Sequence, residues 1–196
     1  MRCESKAADL NDGARDPMSL DDENRGLKIQ LTAAAPEEEP VVANLLELYA
    51  HDFSEFHAID LDANDKFGYS QLPLYWREPN RYPFLVRVDG KLAGLVLLRQ
   101  EAEPSTNKTV WDLAEFFVLR GYRRRGIGTR IAHHLWNRFP GRWQVRVMVV
   151  NRSALQFWEQ ATGLFAGEHV LSARVEKDGQ QWRVFCFDSP GKNPPR

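Results

Sequence analysis

The sequence predicts a mixed α/β or α+β fold in a single domain, with helices on the faces of one central sheet. Segments with the two-residue period of strands alternate along the chain with segments of helical period. Two pairs of strand-like segments are joined by Asp89-Gly90 and by Asp178-Gly179, and Asp-Gly is a strong hairpin signal. A length of 196 residues suffices for one well-buried core. We expect a sheet of about six to seven strands within a domain over residues 27–187.

The charge balance excludes several classes of protein. With 26 basic and 27 acidic residues the formal net charge is -1, so the chain as a whole has no electrostatic reason to coat nucleic acid or an anionic membrane. Its apolar runs are too short to span a bilayer, and its first residues lack the apolar segment of a secretory signal. Cys3 and Cys186 are too few for a disulfide framework or a zinc site. We expect a cytoplasmic protein with no metal and with neither a membrane nor a nucleic-acid partner.

Both ends of the chain are predicted to be tails. Residues 1–26 are rich in Asp, Asn, Ser, Gly and Arg, so burial cannot offset the entropy of ordering them, and we expect disorder. Residues 188–196 contain three prolines and form the C-terminal tail. The sequence leaves open whether translation starts at Met1 or at Met18.

The first half of the domain is predicted to contain a strand, helical segments and a hairpin. Residues 28–32 alternate as a short strand, and a polar turn over 36–40 leads into a helix. The apolar stripe of that helix is expected to consist of Val42, Leu45, Leu46, Leu48 and Tyr49. The hairpin pairs residues 84–88 with residues 92–98.

The second half alternates strands and helices before it closes with another hairpin. Strands are predicted over residues 110–118 and 144–150, with a helix over 126–139 between them. Asn151 is a suitable N-cap for the next helix, and Gly163 suits its C-terminal end. The final hairpin is predicted to pair residues 165–175 with 181–187.

The turn between strand 110–118 and the following helix has the composition of an anion site. It reads RRRGIG from Arg123 to Gly128, and the first amides of a helix have no intrahelical acceptor. Gly126 and Gly128 leave those amides uncovered by side chains. The pattern G-x-x-x-x-G-K-[ST] is absent, and Ile131 stands where G-x-G-x-x-G needs its third glycine. From the residues alone, an anion site and a tight turn with solvated arginines both remain open.

Two segments together resemble the GNAT N-acetyltransferase superfamily. The RRRGIG turn, behind a strand that ends at Val118, matches the [QR]-x-x-G-x-[GA] signature of that superfamily. Farther along, Asn151, Ala154 and the pair Phe157-Trp158 resemble its N-x-x-A-x-x-[FL]-Y segment, with a tryptophan in place of the tyrosine. The spelling EFFVLRGYRRRGIG is similar to a branch of predicted bacterial acetyltransferases. The resemblance covers residues 27–187 and is stronger in the second half.

The resemblance implies a GNAT-like acyl-CoA N-acyltransferase fold that uses acetyl-CoA as cosubstrate. The sheet is then expected to splay between the strands ending at Val118 and Val150. The residues implied in coenzyme binding are Phe117, Val118, Arg123, Arg124, Arg125, Gly126, Ile127, Gly128, Thr129, Asn151, Ala154, Phe157 and Trp158. The amides from 124 to 129 are expected to cradle the pyrophosphate, and the backbone of Phe117 and Val118 to pair with the pantetheine arm.

Glu115 is the candidate general base for transfer of an acetyl group to an amine. A primary amine has a pKa of about 10, so it must lose a proton before it attacks. The strand period predicts that Glu115 shares a face with Trp111, Leu113 and Phe117, where desolvation would raise its pKa. A glutamate at the sheet rim, bonded to an arginine or to water, is the alternative. The amide of Val118 is the candidate donor to the oxyanion.

Trp158 stands where the superfamily commonly has a tyrosine that acts as general acid. An indole N–H does not serve as an acid at neutral pH, so we expect Trp158 to line the coenzyme pocket and the thiolate to leave unaided. The tryptophan favours one alternative, a non-catalytic acyl-CoA-binding regulatory protein. A second alternative is a nucleic-acid-binding module that uses the arginines of residues 120–130.

The acceptor is not indicated by the sequence and could be an amine-bearing small molecule or a protein. His51, Asp52, Glu55 and His57 form a polar cluster that is either a recognition site for a cationic amine or a solvated helix face. The resemblance also allows a homodimer.

Overall fold

The computed structural model describes residues 18–22, 26–102 and 109–191, which form one mixed sheet with helices on both faces. The strands are β1 (Met18–Asp22), β2 (Leu27–Ala33), β3 (Arg81–Val88), β4 (Lys91–Ala102), β5 (Thr109–Val118), β6 (Gly141–Met148), β7 (Leu171–Lys177) and β8 (Gln180–Ser189). The α-helices are α1 (Glu39–Phe53), α2 (Ile127–Arg138) and α3 (Arg152–Ala166). Short 3-10 helices cover Pro36–Glu38, Leu72–Trp76, Arg120–Tyr122 and Gly167–His169.

The sheet opens at one place, between β5 and β6. Its strand order is β1-β2-β3-β4-β5-β6-β8-β7, and β5–β6 is the parallel pair, whereas all the other neighbours in the described sheet are antiparallel. The parallel pairing covers only residues 110–112 against 142–144, although both strands continue beyond it. The two strands therefore diverge towards Val118, which confirms the predicted mixed fold with a splay after this strand. Strand β6 ends at Met148 rather than at Val150.

Two apolar cores cover the two faces of the sheet. Helices α2 and α3 pack on one face through side chains that include Ile131, Leu135, Trp136 and Trp158. Helix α1 and the 3-10 helix Leu72–Trp76 cover the β3–β4–β5 part of the other face through Val42, Leu45, Leu46, Leu72 and Tyr75. Both predicted Asp-Gly hairpins form. No helix in the described part of the chain has the length and apolar character needed to cross a membrane.

One strand lies inside the stretch that was expected to be disordered. Residues 18–22 form β1, which pairs antiparallel with β2. The described sheet therefore has eight strands, one more than the upper limit of the predicted six to seven. Backbone pairing with a neighbouring edge needs no apolar stripe, so composition does not reveal such a strand. Residues 1–17 and 23–25 of the predicted N-terminal tail, and residues 192–196, lie outside the described residues.

Three local predictions are wrong. Leu48 is 52% exposed, because it falls outside the arc of α1 that holds Val42, Leu45 and Leu46. Helix α3 continues past Gly163 and ends at Ala166, because the residue with positive φ that follows the helix is Gly167, with φ 56°. The second hairpin therefore begins only at Leu171. Ser189 belongs to β8 rather than to the tail, and its buried hydroxyl donates to the carbonyl of Trp136 over 2.6 Å.

Candidate active site

A cleft of about 1750 Å³ occupies the place where β5 and β6 diverge. Phe116 and Phe157 line it on the α2–α3 side of the sheet, and Tyr49 and Glu115 line it on the α1 side. The cleft therefore passes through the splayed sheet and joins the start of α2 to the space beside α1. Its volume is larger than that of a typical small-molecule pocket, so it has room for an extended cosubstrate and an acceptor together.

The turn before α2 is built to present backbone amides. Arg124 and Gly126 both have left-handed backbone conformations, with φ 60° and 76°. The amide of Arg130 donates to the carbonyl of Gly126, so the amides of residues 127–129 precede the first helical hydrogen bond. Gly126, Gly128 and Thr129 line the cleft. The side chain of Ile127 is buried in the core, so this residue can contact a ligand in the cleft only through its backbone amide. This arrangement suits a diphosphate at a helix N-terminus.

Gly128 also has a packing role that sequence analysis did not foresee. A Cβ added at this position would lie 3.1 Å from Cζ of Phe157 and 3.6 Å from Cε1 of Phe116. The two phenyl rings stack on each other with centroids 6.0 Å apart. Gly128 therefore lets the start of α2 approach the aromatic wall of α3, in addition to leaving the turn uncovered.

The three arginines of the turn have different surroundings. Arg123 donates through Nε to the carbonyl of Val118 over 2.6 Å and through Nη2 to Asp52 over 2.6 Å. Its side chain thus contacts the end of α1, and it also lines the cleft. Arg124 lines the cleft as well, whereas Arg125 is not among the described residues that line it.

Asp52 is held by two cations. Arg120 Nη2 donates to its Oδ1 over 2.6 Å, and Arg123 Nη2 binds its Oδ2. Burial alone would raise the pKa of Asp52, but the hydrogen bonds and charges of these two arginines hold it below its usual value. Its carboxylate is therefore already neutralised by two guanidinium groups, whereas Glu55, the other carboxylate of this polar cluster, also lines the cleft.

The backbone of β5 offers different groups to the cleft at successive residues. Leu119 donates its amide to the carbonyl of Ala93, and Leu95 pairs with Phe117. Since hydrogen-bonding groups alternate in direction along a strand, the backbone groups of Phe117 face β4 and those of Val118 face the opening. Phe117 is therefore poorly placed to pair with pantetheine through its backbone, whereas the amide of Val118 has the direction expected of a donor to an oxyanion.

A β-bulge sets the direction of Glu115. Leu97 pairs with Glu115 and Leu98 pairs with Leu113, so β5 contains one extra residue, Ala114. Leu113 faces the core under α2 and α3, whereas Phe117 faces α1. The prediction that Glu115 shares a face with Trp111 and Leu113 is therefore wrong, because simple alternation fails at the bulge. The bulge turns Glu115 to the α1 side of the cleft, with Phe117.

Two tyrosines hold the carboxylate of Glu115. The hydroxyls of Tyr49, on α1, and Tyr69, in the loop that follows it, both form hydrogen bonds with Glu115. Burial, with the nearby Glu115 charge, raises the pKa of both phenols well above the usual value of tyrosine, so both stay protonated as donors. Sequence analysis missed these residues, since they lie 66 and 46 positions before Glu115 and no local pattern connects them.

The environment of Glu115 suits a base that works near neutral pH. The side chain is half-buried at the cleft wall, and burial raises its pKa to about 7. The hydrogen bonds from Tyr49 and Tyr69 act in the opposite direction, because they stabilise the ionised form. The charge of Asp112 raises the pKa of Glu115 further, and that of Arg99 lowers it. The carboxylate is therefore both fixed in place and able to accept a proton.

Helix α3 supplies the remaining wall of the cleft. Asn151 caps the helix, since its Oδ1 accepts from the amide of Ala154 over 3.0 Å. Asn151, Ala154, Phe157 and Trp158 all line the cleft. Trp158 is only 6% exposed and meets Phe116 edge to face, with centroids 5.0 Å apart. It is thus part of the aromatic wall, on the opposite side of the sheet from Glu115.

Comparison with known families identifies this arrangement. The family model described as "Acetyltransferase (GNAT) family" matches residues 42–164, which is more than half of the chain. The chain belongs to the GNAT acetyltransferase family. The matched region extends from α1 to α3 and includes the bulged strand β5 and the turn before α2. A search of the curated proteins finds no match.

Solved acetyltransferase structures share the fold at low sequence identity. An acetyltransferase from Thermus thermophilus is 16% identical, with a TM-score of 0.59 over 82% of this chain and 96% of that one. Spermidine N-acetyltransferase from Vibrio cholerae, in complex with CoA and spermine, is 13% identical, with a TM-score of 0.57 over 82% and 95%. Arabidopsis thaliana NAA60, in complex with a bisubstrate analogue, is 16% identical, with a TM-score of 0.53 over 81% and 95%.

Proposed function

We propose that this GNAT protein transfers the acetyl group of acetyl-CoA directly to a primary amine, with Glu115 as the general base. The observation that carries the proposal is a half-buried carboxylate with a pKa of about 7, held by two tyrosines beside the opening of the splayed sheet. A base with a pKa near the working pH combines a useful ionised fraction with the strength to accept a proton.

The turn before α2 would bind the coenzyme. The amides of residues 127–129, together with Gly126 and Gly128, suit its pyrophosphate, and Arg124 adds a positive charge at the same end of the cleft. The opening between β5 and β6 would hold the pantetheine arm against Phe116 and Phe157. When bound there, acetyl-CoA supplies the activated thioester.

The residues around the opening account for the chemical steps. Glu115 takes a proton from the ammonium form of the acceptor, so that the nitrogen lone pair can form the new C–N bond. The amide of Val118 donates to the oxygen that gains negative charge as the carbonyl is attacked. The C–S bond then breaks, CoA leaves as a thiolate, and the nitrogen, which is positively charged after the attack, releases its excess proton to the thiolate or to solvent. A thiol has a pKa of about 8.5, so this departure does not require an acid at the position of Trp158.

The tryptophan at position 158 is the observation behind the rival function, a non-catalytic acyl-CoA-binding protein. One assay separates the two functions. The protein is mixed with acetyl-CoA and a panel of primary amines, and the release of CoA is measured with a thiol reagent. Acetyl transfer predicts amine-dependent CoA release that Glu115→Gln reduces by about 10²-fold or more, with acetyl-CoA affinity preserved. Coenzyme binding without CoA release for any amine would contradict the transferase proposal and support the rival.

A further inference from the structure

Two arginines lie on the floor of the cleft beside Glu115. Arg99 of β4 and Arg146 of β6 both line the cleft. Arg99 Nε donates to Oδ2 of Asp112 over 2.7 Å, and Arg146 Nη2 donates to the same oxygen over 2.6 Å. Asp112 itself is only 1% exposed. The floor therefore presents guanidinium groups to the cleft, while the carboxylate that holds them is hidden beneath.

Strand pairing places Arg146 and Glu115 on the same face of the sheet. Gln144 pairs with Asp112 at the end of the parallel ladder, and Arg146 is the next residue of β6 on the same face. On β5 the bulge makes Glu115 the position that follows Asp112 on this face. Arg146 and Glu115 thus face the same space from the two strands that diverge around the opening.

On this floor, Arg146 is the guanidinium that can bind a further anion. Asp112 can balance one of the two guanidinium groups, and Arg99 has a second partner at the exposed rim, Glu101 Oε1 at 2.9 Å. Arg146 contacts Asp112 through one nitrogen, and its side chain remains 31% exposed. Of the carboxylates that line the cleft, Asp52 is already held by two arginines and so does not favour a polycationic amine.

We propose that the acceptor is a small amino carboxylate, whose amine is directed to Glu115 while its carboxylate is bound by Arg146. This inference rests on the proposed acetyl transfer and names the substrate class. Arginine suits the role because its planar donors match the two oxygens of a carboxylate. The buried Asp112 fixes the position of the guanidinium before the acceptor binds, which lowers the entropic cost of that contact.

Matched pairs of acceptors test the proposal. Each pair consists of an amino acid and the amine that remains when its carboxylate is removed: lysine with cadaverine, phenylalanine with phenethylamine, and β-alanine with ethylamine. CoA release is measured for both members with the full-length protein. We expect that kcat/KM of the better amino acids exceeds that of their decarboxylated partners by about tenfold or more, as charge-assisted hydrogen bonds to one carboxylate would give.

Substitution of Arg146 separates binding of the carboxylate from the rest of the reaction. Arg146→Gln should remove most of the preference by raising KM for the amino acid, and should leave kcat/KM for the decarboxylated amine within about threefold. Arg142→Gln is the matched control. Arg142 lies on the same strand, pairs at 3.9 Å with the exposed Asp188 and is not among the described residues lining the cleft, so its loss should change neither member of a pair.

The outcomes are distinct from those that test acetyl transfer itself. If decarboxylated amines or polyamines are acetylated as well as the amino acids, or if Arg146→Gln keeps the preference, the carboxylate site is wrong while acetyl transfer stands. If Arg146→Gln lowers activity equally with both members of a pair, Arg146 has only a structural role and the proposal is overturned. Absence of CoA release with every amine would overturn acetyl transfer and the carboxylate site with it.

Discussion

Arg123 and Val118 are joined by a hydrogen bond of 2.6 Å from the guanidinium Nε to the backbone carbonyl oxygen. The same guanidinium binds Asp52, 71 residues earlier in the chain, at the end of α1. Arg123 thus ties the end of β5, where the sheet opens, to the helix that carries Tyr49. The first arginine of the signature-like turn therefore organises the α1 side of the cleft, which it also lines, and Arg124 lines the coenzyme end.

Arg123 and Arg124 should have separable roles. Arg123→Gln loses the bonds to Val118 and Asp52, so we expect it to lower the free energy of unfolding by about 1 kcal/mol, a modest figure because the side chain is 41% exposed. Arg124→Gln should weaken acetyl-CoA binding by about threefold to tenfold and leave stability within about 0.5 kcal/mol. Urea unfolding and calorimetric titration measure the two effects. Equal losses in both variants would contradict this division.

Glu115→Gln should change the pH dependence of the reaction. The pKa of Glu115 is raised to about 7, so the ionised base becomes more abundant as the pH rises through that value. For one acceptor, kcat/KM of the wild type is divided by kcat/KM of the variant. The amine titrates in the same way with both proteins, so its contribution drops out of this ratio. We expect this ratio to increase with pH and to level off above about pH 7. A ratio that does not vary between pH 5 and pH 9 would show that Glu115 is not the base.

The two tyrosines should tune the base. Their hydrogen bonds stabilise the ionised carboxylate, so removing either hydroxyl should raise the pKa of Glu115 further. We therefore expect Tyr49→Phe and Tyr69→Phe to move the midpoint of the kcat/KM profile to higher pH. Tyr82→Phe is a suitable control, because Tyr82 packs beside Trp111, on the opposite face of the sheet from Glu115. A midpoint that stays in place or moves to lower pH in both variants would contradict the assigned hydrogen bonds.

Gly128 should tolerate no side chain. The methyl group of Gly128→Ala would meet the Phe157 ring at 3.1 Å, and that ring is confined by Phe116 and Trp158. We expect the substitution to lower the free energy of unfolding by about 1–3 kcal/mol and to weaken acetyl-CoA binding. Phe157→Leu in the same chain should recover part of the stability. Gly163→Ala is the control, since nothing lies within 4 Å of the added carbon. Equal stability of the two alanine variants would show that the packing role is wrong.

Local patterns were enough to predict much of this molecule. Periodicity located β3, β5 and α2, the Asp-Gly pairs located both hairpins, and the RRRGIG turn located the start of the cleft. These features depend on residues that are neighbours in the sequence. The side chain of Glu115 was predicted as a candidate base for the same reason, since an acid within an apolar strand is conspicuous.

The features that were missed depend on distant residues or on backbone irregularity. The bulge at Ala114 adds one residue to β5 and reverses the predicted face of Glu115, yet Ala114 carries no bulge signal. Tyr49 and Tyr69 reach Glu115 through the fold, and Asp52 redirects Arg123 in the same way. Strand β1 pairs with β2 through backbone hydrogen bonds, which require no particular side chains. Its composition can therefore be that of a tail.

Titration of acetyl-CoA into the full-length protein is the most direct test of coenzyme binding at the turn before α2. Acetyl-pantetheine, which lacks the pyrophosphate, is the matched ligand. A coenzyme site at this turn predicts saturable one-to-one binding of acetyl-CoA and a stabilisation of about 2.7 kcal/mol at a hundred times its Kd. Acetyl-pantetheine should bind much more weakly, because the amides before α2 would then have no diphosphate to hold. Equal affinity for the two ligands, or no saturable binding of acetyl-CoA by the folded protein, would contradict the account.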